Sequence, residues 1–271
     1  MAPTSRGNPG AAQDSGLSLV DSPAAPGRMA LQAPQRSRRR WLVTRSFLRL
    51  AARLYSRVQV DGLENLPTGP SIICFSHQNW ADPFFLVASL PRRPRVYFFG
   101  PEQEDMRRGV RNRLMRWSGT VVPFRPGKRG LVAATRLAEA LVARGGTIAI
   151  AGEGRIHSGE SALLPLLDGP AYLALRCGVP ILPVAINGTG WLGFRRLVRV
   201  RFGAPIATID GTGPLTRDSV DDTTARIWAA LHTLVADFPD RAPPGPVGRH
   251  LTELFNDWPE GGRPPTQVRR D

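Results

Sequence analysis

Short apolar runs recur through the middle of the chain: SIICFS, RVYFFG, TIAIAG and PILPVAI, each bounded by Pro, Gly or polar residues. Such runs are the pattern of strands buried on both faces. Between them lie stretches with helical periodicity, such as RGLVAATRLAEALVARGG. The alternation predicts an α/β fold, a single domain over residues 58–240 with a mixed, mostly parallel sheet flanked by helices. Residues 1–40 are rich in Pro, Gly, Ala and Ser and have no apolar periodicity. They are expected to be disordered, since they offer too little apolar surface to offset chain entropy. Residues 241–271 have a similar Pro/Gly-rich composition and are expected to be mostly disordered, with room for one short helix in RHLTELFNDW.

Residues 41–57 stand apart. In WLVTRSFLRLAARLYSRVQV, Arg45, Arg49, Arg53 and Arg57 recur at spacings of four, which is one stripe on a helix. Trp41, Leu42, Leu48, Ala52 and Tyr55 take much of the remaining surface, and no acidic residue occurs between Asp21 and Asp61. The segment predicts an amphipathic helix at an anionic membrane surface, its apolar side toward acyl chains and its four arginines on lipid phosphates. The alternative is a helix packed on the domain with a solvated charged face. No apolar stretch of about 18 residues is present, so a peripheral protein on the cytoplasmic face of the cell membrane is expected, without a spanning helix. The N-terminus has no secretory pattern.

The 271 residues carry a formal charge of +14, almost all of it arginine, since Lys128 is the sole lysine. That balance favours anionic partners, whether lipid, phosphorylated substrate or nucleic acid. Cys74 and Cys177 lie in apolar runs and are expected to be reduced core thiols.

The segment CFSHQNWADPFFL places His77 just after an apolar strand and Asp82 five residues later, before Pro83, where a helix should begin. A neutral imidazole at that point can take a proton from an alcohol attacking a carbonyl, while the carboxylate fixes the tautomer and stabilises the imidazolium. Downstream, SGTVVPFRPGKRG ends a strand at Arg125 with Lys128 and Arg129 beside it, and TIAIAG runs into EGRIHSGES. There Gly152 and Gly154 permit close backbone approach and Arg155 supplies a guanidinium fork suited to phosphate, with Glu153 placed to hold an arginine.

In this order the blocks resemble the glycerophospholipid acyltransferases, and most of all the 1-acylglycerol-3-phosphate acyltransferases. The resemblance spans residues 58–206. Its first block is His77 to Asp82, implying a catalytic pair. The second, GTVVPFR, implies acceptor phosphate contacts at Gly119 and Arg125; the cluster with Lys128 and Arg129 in a Gly/Pro loop suits an anionic phosphate by its own charge. The third, AGEGRIH, matches at Glu153 and Gly154 and implies phosphate binding by these and Arg155; Ala151 and Gly152 stand where Phe and Pro are usual. The fourth, VPILPVAI, matches at Pro183, a structural position or part of the acyl pocket. The lysine often found before the Gly-Ala helix is replaced by Asp168. The resemblance implies O-acyl transfer from acyl-CoA or acyl carrier protein to a lysophospholipid, foremost 1-acylglycerol 3-phosphate, to give phosphatidate. Glycerol 3-phosphate and other lysolipids are alternative acceptors.

Other chemistries lack their signatures. No Gly-x-Ser-x-Gly elbow surrounds Ser158, so direct transfer without a covalent acyl-enzyme is expected, and His157 is expected to be a solvated loop residue. Neither metal-ligand spacing nor a dinucleotide fingerprint occurs, so no cofactor is expected. A non-catalytic basic protein binding nucleic acid is the rival reading. Its arginines are not interleaved with aromatic stacking residues, so no nucleic-acid partner is expected.

Overall fold

The computed structural model describes residues 34–101, 117–124, 128–157, 159–208, 215–239 and 241–255. Helix α1 (Pro34–Tyr55) leads into strand β1 (Arg57–Asp61), and a 3-10 turn (Leu63–Asn65) leads to β2 (Ile72–Phe75). Then follow α2 (Asp82–Ser89), β3 (Val96–Pro101), β4 (Val121–Phe124), α3 (Lys128–Ala143) and β5 (Thr147–Ala151). The chain continues through α4 (Gly169–Cys177), β6 (Ile181–Asn187), β7 (Leu197–Phe202), α5 (Arg217–Val235) and α6 (Pro246–Phe255).

The seven strands form one sheet in the order β1-β7-β6-β2-β5-β3-β4. All pairings are parallel except β6 with β7, so β1 and β7 run against the other five. Successive side chains of a strand point to opposite faces, and β2 divides its residues accordingly. Ile73 and Phe75 join a core with Trp41, Leu48 and Leu86 of α1 and α2. Ile72 and Cys74 join a core with Leu137, Ala174 and Ile227 of α3, α4 and α5. The sheet is therefore covered on both faces, and the expected mixed, mostly parallel arrangement is what the chain adopts.

Helix α1 differs from its expected boundaries and orientation. It begins at Pro34, inside the stretch expected to be disordered, and ends before Arg57, which belongs to β1 opposite Leu197. Arg45 is buried, and its Nε donates to Leu90 O at 2.6 Å, at the carboxyl end of α2. Burial first, then the neighbouring cations Arg49, Arg92 and Arg53, lower the pKa of its guanidinium. Trp41 is also buried, its Nε1 donating to Arg92 O at 3.4 Å. Arg45 is thus not a lipid contact, and Trp41 and Leu48 face the domain. The outward apolar residues are instead Val43, Phe47, Leu50 and Leu54, which are 58, 60, 59 and 67% exposed. Their spacings of four, three and four put them on a single helix face.

At the other end, α6 lies within the stretch expected to be mostly disordered. It packs on the β6–β7 connection through Thr252, whose Oγ1 accepts from Leu192 N at 2.9 Å. No described helix is long and apolar enough to cross a membrane.

Replacing Arg45 by Ala leaves the Leu90 carbonyl without its charged donor inside the protein. It should destabilise the fold by about 1.5–3 kcal/mol, whereas exposed Arg53→Ala should stay within about 0.5 kcal/mol. Urea unfolding of the two variants checks this, and equal effects would contradict the buried role of Arg45.

Candidate active site

Parallel register assembles the site. Phe75, the last residue of β2, lies opposite Ala151, the last residue of β5. The residues two beyond each, His77 and Glu153, therefore leave the same edge of the sheet side by side, and His77 N donates to Glu153 Oε1 at 3.2 Å. Ligand sites of open α/β sheets gather beyond the carboxyl ends of the strands.

Asp82 opens α2 but does not cap it. Its Oδ2 accepts from the backbone N–H groups of Gln78 and Asn79 in the preceding loop, at 2.7 and 2.8 Å. The same oxygen lies 3.0 Å from His77 Nδ1, and Thr189 just beyond β6 donates its hydroxyl to Oδ1. Asn79 shapes the turn, its Oδ1 accepting from Ala81 N at 2.8 Å. The Asp82 side chain is fully buried, while that of His77 is 14% exposed. An ionised carboxylate only accepts hydrogen bonds, so Nδ1 carries the proton of the neutral ring. Nε2 is left with a lone pair and no hydrogen-bond partner among the described residues. Phe75 packs edge-on against the imidazole, with centroids 5.8 Å apart.

Behind His77 lies a second polar group. Glu153 and His157 are each 3% exposed. His157 Nε2 sits 2.9 Å from Glu153 Oε2, a close approach without the geometry of a hydrogen bond. The backbone N–H of His157 donates to His77 O at 3.3 Å. This overturns the expectation of a solvated loop histidine. Among the described residues, the buried Glu153 carboxylate meets the His77 backbone and the His157 ring. Glu160 continues the stitching: its Oε2 accepts from Gly188 N at 2.6 Å, and its carbonyl accepts from Gln78 Nε2 at 2.8 Å. Gln78, Thr189 and Glu160 escape the sequence reading. They act from separate segments with no shared spacing, and only Asn79 carries a local turn signal.

The remaining expected residues are scattered around this centre. Gly154 is exposed with φ +64°, a left-handed backbone that favours glycine, and Leu167 Cδ1 lies over it. Arg155 is exposed and has no hydrogen bond or ion pair among the described residues. Gly119 is buried with φ +63°, and its carbonyl accepts from Arg95 Nη2 at 2.9 Å. Arg129 is exposed in the first turn of α3. Arg125 lies outside the described residues, and so does the side chain of Lys128. Pro183 sits within β6 opposite Cys74, buried in the sheet. Asp168 pairs with Arg217 of α5 at 2.9 Å.

Both cysteines are free. Burial, reinforced by the charge of Glu153, pushes the Cys74 thiol far above its usual range. It is no nucleophile at neutral pH, since the thiolate is the reactive form. Beside α2 lies a narrow cleft whose lining includes Trp41, Leu48, Phe84, Val87 and Phe98. It adjoins the His77 side of the sheet through Phe98, which packs edge-on against Phe75 at 6.3 Å.

The fold is similar to a solved structure, that of the 1-acyl-sn-glycerophosphate (LPA) acyltransferase PlsC from Thermotoga maritima. The match has a TM-score of 0.58 and 21% identity, and covers 78% of this chain and 87% of that one. A family model described as Acyltransferase matches residues 57–187, from β1 to the end of β6, the stretch that contains His77, Asp82 and Glu153. Over residues 57–187 the chain is similar to the acyltransferase family.

Proposed function

We propose that the protein transfers a fatty acyl group from acyl-CoA or acyl carrier protein to the free hydroxyl of 1-acylglycerol 3-phosphate, forming phosphatidate. The observation that carries this reading is the His77 ring, bound to Asp82 at Nδ1 and open at Nε2. In the proposed step Nε2 takes the proton of the acceptor hydroxyl as its oxygen attacks the thioester carbonyl. The C–S bond breaks, and the departing thiolate recovers that proton from the imidazolium. Asp82 stabilises the imidazolium and keeps the ring oriented. The PlsC enzyme of similar fold, named for its action on lysophosphatidate, supports the choice of acceptor. The exposed Arg155, without an ion pair among the described residues, suits its phosphate, because a guanidinium can bind two phosphate oxygens at once.

The same reading places the protein at a lipid surface, with α1 turned the opposite way from the sequence expectation. Val43, Phe47, Leu50 and Leu54 face outward, and exposed Phe194 extends the patch from Tyr55, with ring centroids 6.4 Å apart. Arg39 and Arg53 of α1 and Arg195 beside Phe194 are exposed as well. An apolar stripe with cationic neighbours suits the interface of an anionic monolayer.

Three outcomes test these statements. Turnover of 1-acylglycerol 3-phosphate, followed by mass spectrometry of the phosphatidate formed, should fall by about 10² to 10⁴ in His77→Ala. Near-normal turnover in that variant would remove the general base. In Arg155→Ala, KM for the phosphorylated acceptor should rise about tenfold or more, the scale of a lost bond to a charged group, while kcat changes little. An unchanged KM would take Arg155 off the phosphate. The double variant Phe47→Glu, Leu50→Glu should lose at least about tenfold in partition to phosphatidylglycerol vesicles, given about 1.5–3 kcal/mol for each buried side chain. Its unfolding midpoint should not move, and equal vesicle binding would show that α1 does not enter the lipid.

A further inference from the structure

We propose that His157 is a positioning residue for His77, which rests on the reading of His77 as the general base. His77 lies beyond the end of β2, where the sheet no longer holds its backbone. Its two backbone polar groups are held instead by one short segment: His77 N donates to Glu153 Oε1, and His77 O accepts from His157 N. The ring of the same His157 lies 2.9 Å from the other Glu153 oxygen. The Glu153 side chain is completely buried, and that of His157 nearly so.

The imidazole closes this arrangement. A buried carboxylate with one oxygen bound to a backbone N–H and the other facing no donor is poorly compensated and free to turn about its last torsion. With its Nε2 2.9 Å from Oε2, the His157 ring confines that oxygen and with it the plane that presents Oε1 to His77. The backbone of His77 in turn sets the direction of its Cβ, and the 3.0 Å approach of Nδ1 to Asp82 depends on that direction. Asp82 has anchors outside this segment, Asn79 N and Thr189, besides Gln78 N of the peptide that follows His77. A shift in the segment carrying Glu153 and His157 therefore displaces His77 relative to a carboxylate that Asn79 N and Thr189 hold in place. His157 touches neither the proton nor the acyl group and acts only through Glu153 and the His77 backbone.

His157→Ala should lower kcat by about 10- to 100-fold, the usual scale for groups that orient a reacting side chain, with KM for both substrates within about threefold. His157→Gln, whose amide N–H can reach Glu153, should recover most of kcat, and a role in packing alone would not separate the two variants. In ¹⁵N spectra of the histidines, the His77 Nδ1–H signal should be present in the wild type and the Gln variant, and broadened or lost in the Ala variant. Should His157→Ala fail to fold, His157→Phe keeps the ring volume without its N–H groups and is read in the same way. If His77→Ala is inactive but His157→Ala or His157→Phe keeps kcat within twofold, the positioning role falls and the general base stands. A parallel loss of kcat and stability in the Ala and Gln variants alike would also overturn it. If His77→Ala is active, the general base itself falls.

Discussion

Because Phe75 lies opposite Ala151 in the parallel pairing of β2 with β5, the two loops that carry the site leave the sheet in step. Parallel strands cannot slip by one residue here without exchanging the faces of Ile72, Ile73, Cys74 and Phe75, all of which are buried. The core on both faces therefore fixes the register, and the register brings His77 N to Glu153. The interactions of Gln78, His157 and Glu160 build on that alignment, since the loops after the two strand ends carry them. Burial of apolar side chains in the middle of the sheet thus sets the position of polar groups at its edge.

Helix α2 carries the same logic to the carboxylate. Its first residue is Asp82, and its carboxyl end offers the Leu90 carbonyl to Arg45 of α1. A negative side chain at the amino end and a guanidinium at the carboxyl end both oppose the partial charges of the helix. Each also spans to another element: Asp82 to the loop after β2 and to Thr189 after β6, Arg45 to α1. The helix is pinned at both ends, and Trp41 reinforces the far end through Arg92 O. If α1 rests on lipid as proposed, its inner face still belongs to the fold, so that docking and stability use different residues of one helix.

Much of this was legible in the sequence, and the failures have definite causes. Buried strands such as SIICFS and TIAIAG announced themselves because both faces are covered, and Asp-Pro marked the start of α2. The orientation of α1 was misread because the helix is apolar on two faces. Trp41 and Leu48 form one, Val43, Phe47, Leu50 and Leu54 the other, and periodicity alone does not say which is covered. An arginine stripe was no better guide, since Arg45 is buried while donating to a carbonyl and Arg53 is exposed. His157 looked like a loop residue because its partner Glu153 is four residues away in a turn. Its contact with the His77 backbone depends on register, which spacing does not encode. Arg125, the phosphate contact implied by the second block, lies outside the described residues.

The departures in the third block have a packing reason. Where Phe and Pro are usual the chain has Ala151 and Gly152, and a Cβ at 152 would approach Cys74 Sγ at 2.7 Å and Leu166 Cδ2 at 2.9 Å. Cys74 and Leu166 occupy the space that a larger residue at 152 would claim. Leu166 is followed by Leu167, whose N donates to Gly152 O at 2.8 Å and whose Cδ1 would meet any Cβ at 154. The residues around 166 thus close over the turn that carries Glu153, and that closure requires a small residue at 152, while the positive φ favours glycine at 154. A Pro at 152 would lose more than space: Gly152 N donates to Phe75 O at 3.0 Å, the last tie between β5 and β2 before the two functional loops diverge. The glycine keeps that hydrogen bond two residues from His77, so the unusual block holds the turn by backbone pairing and by the leucines packed over it.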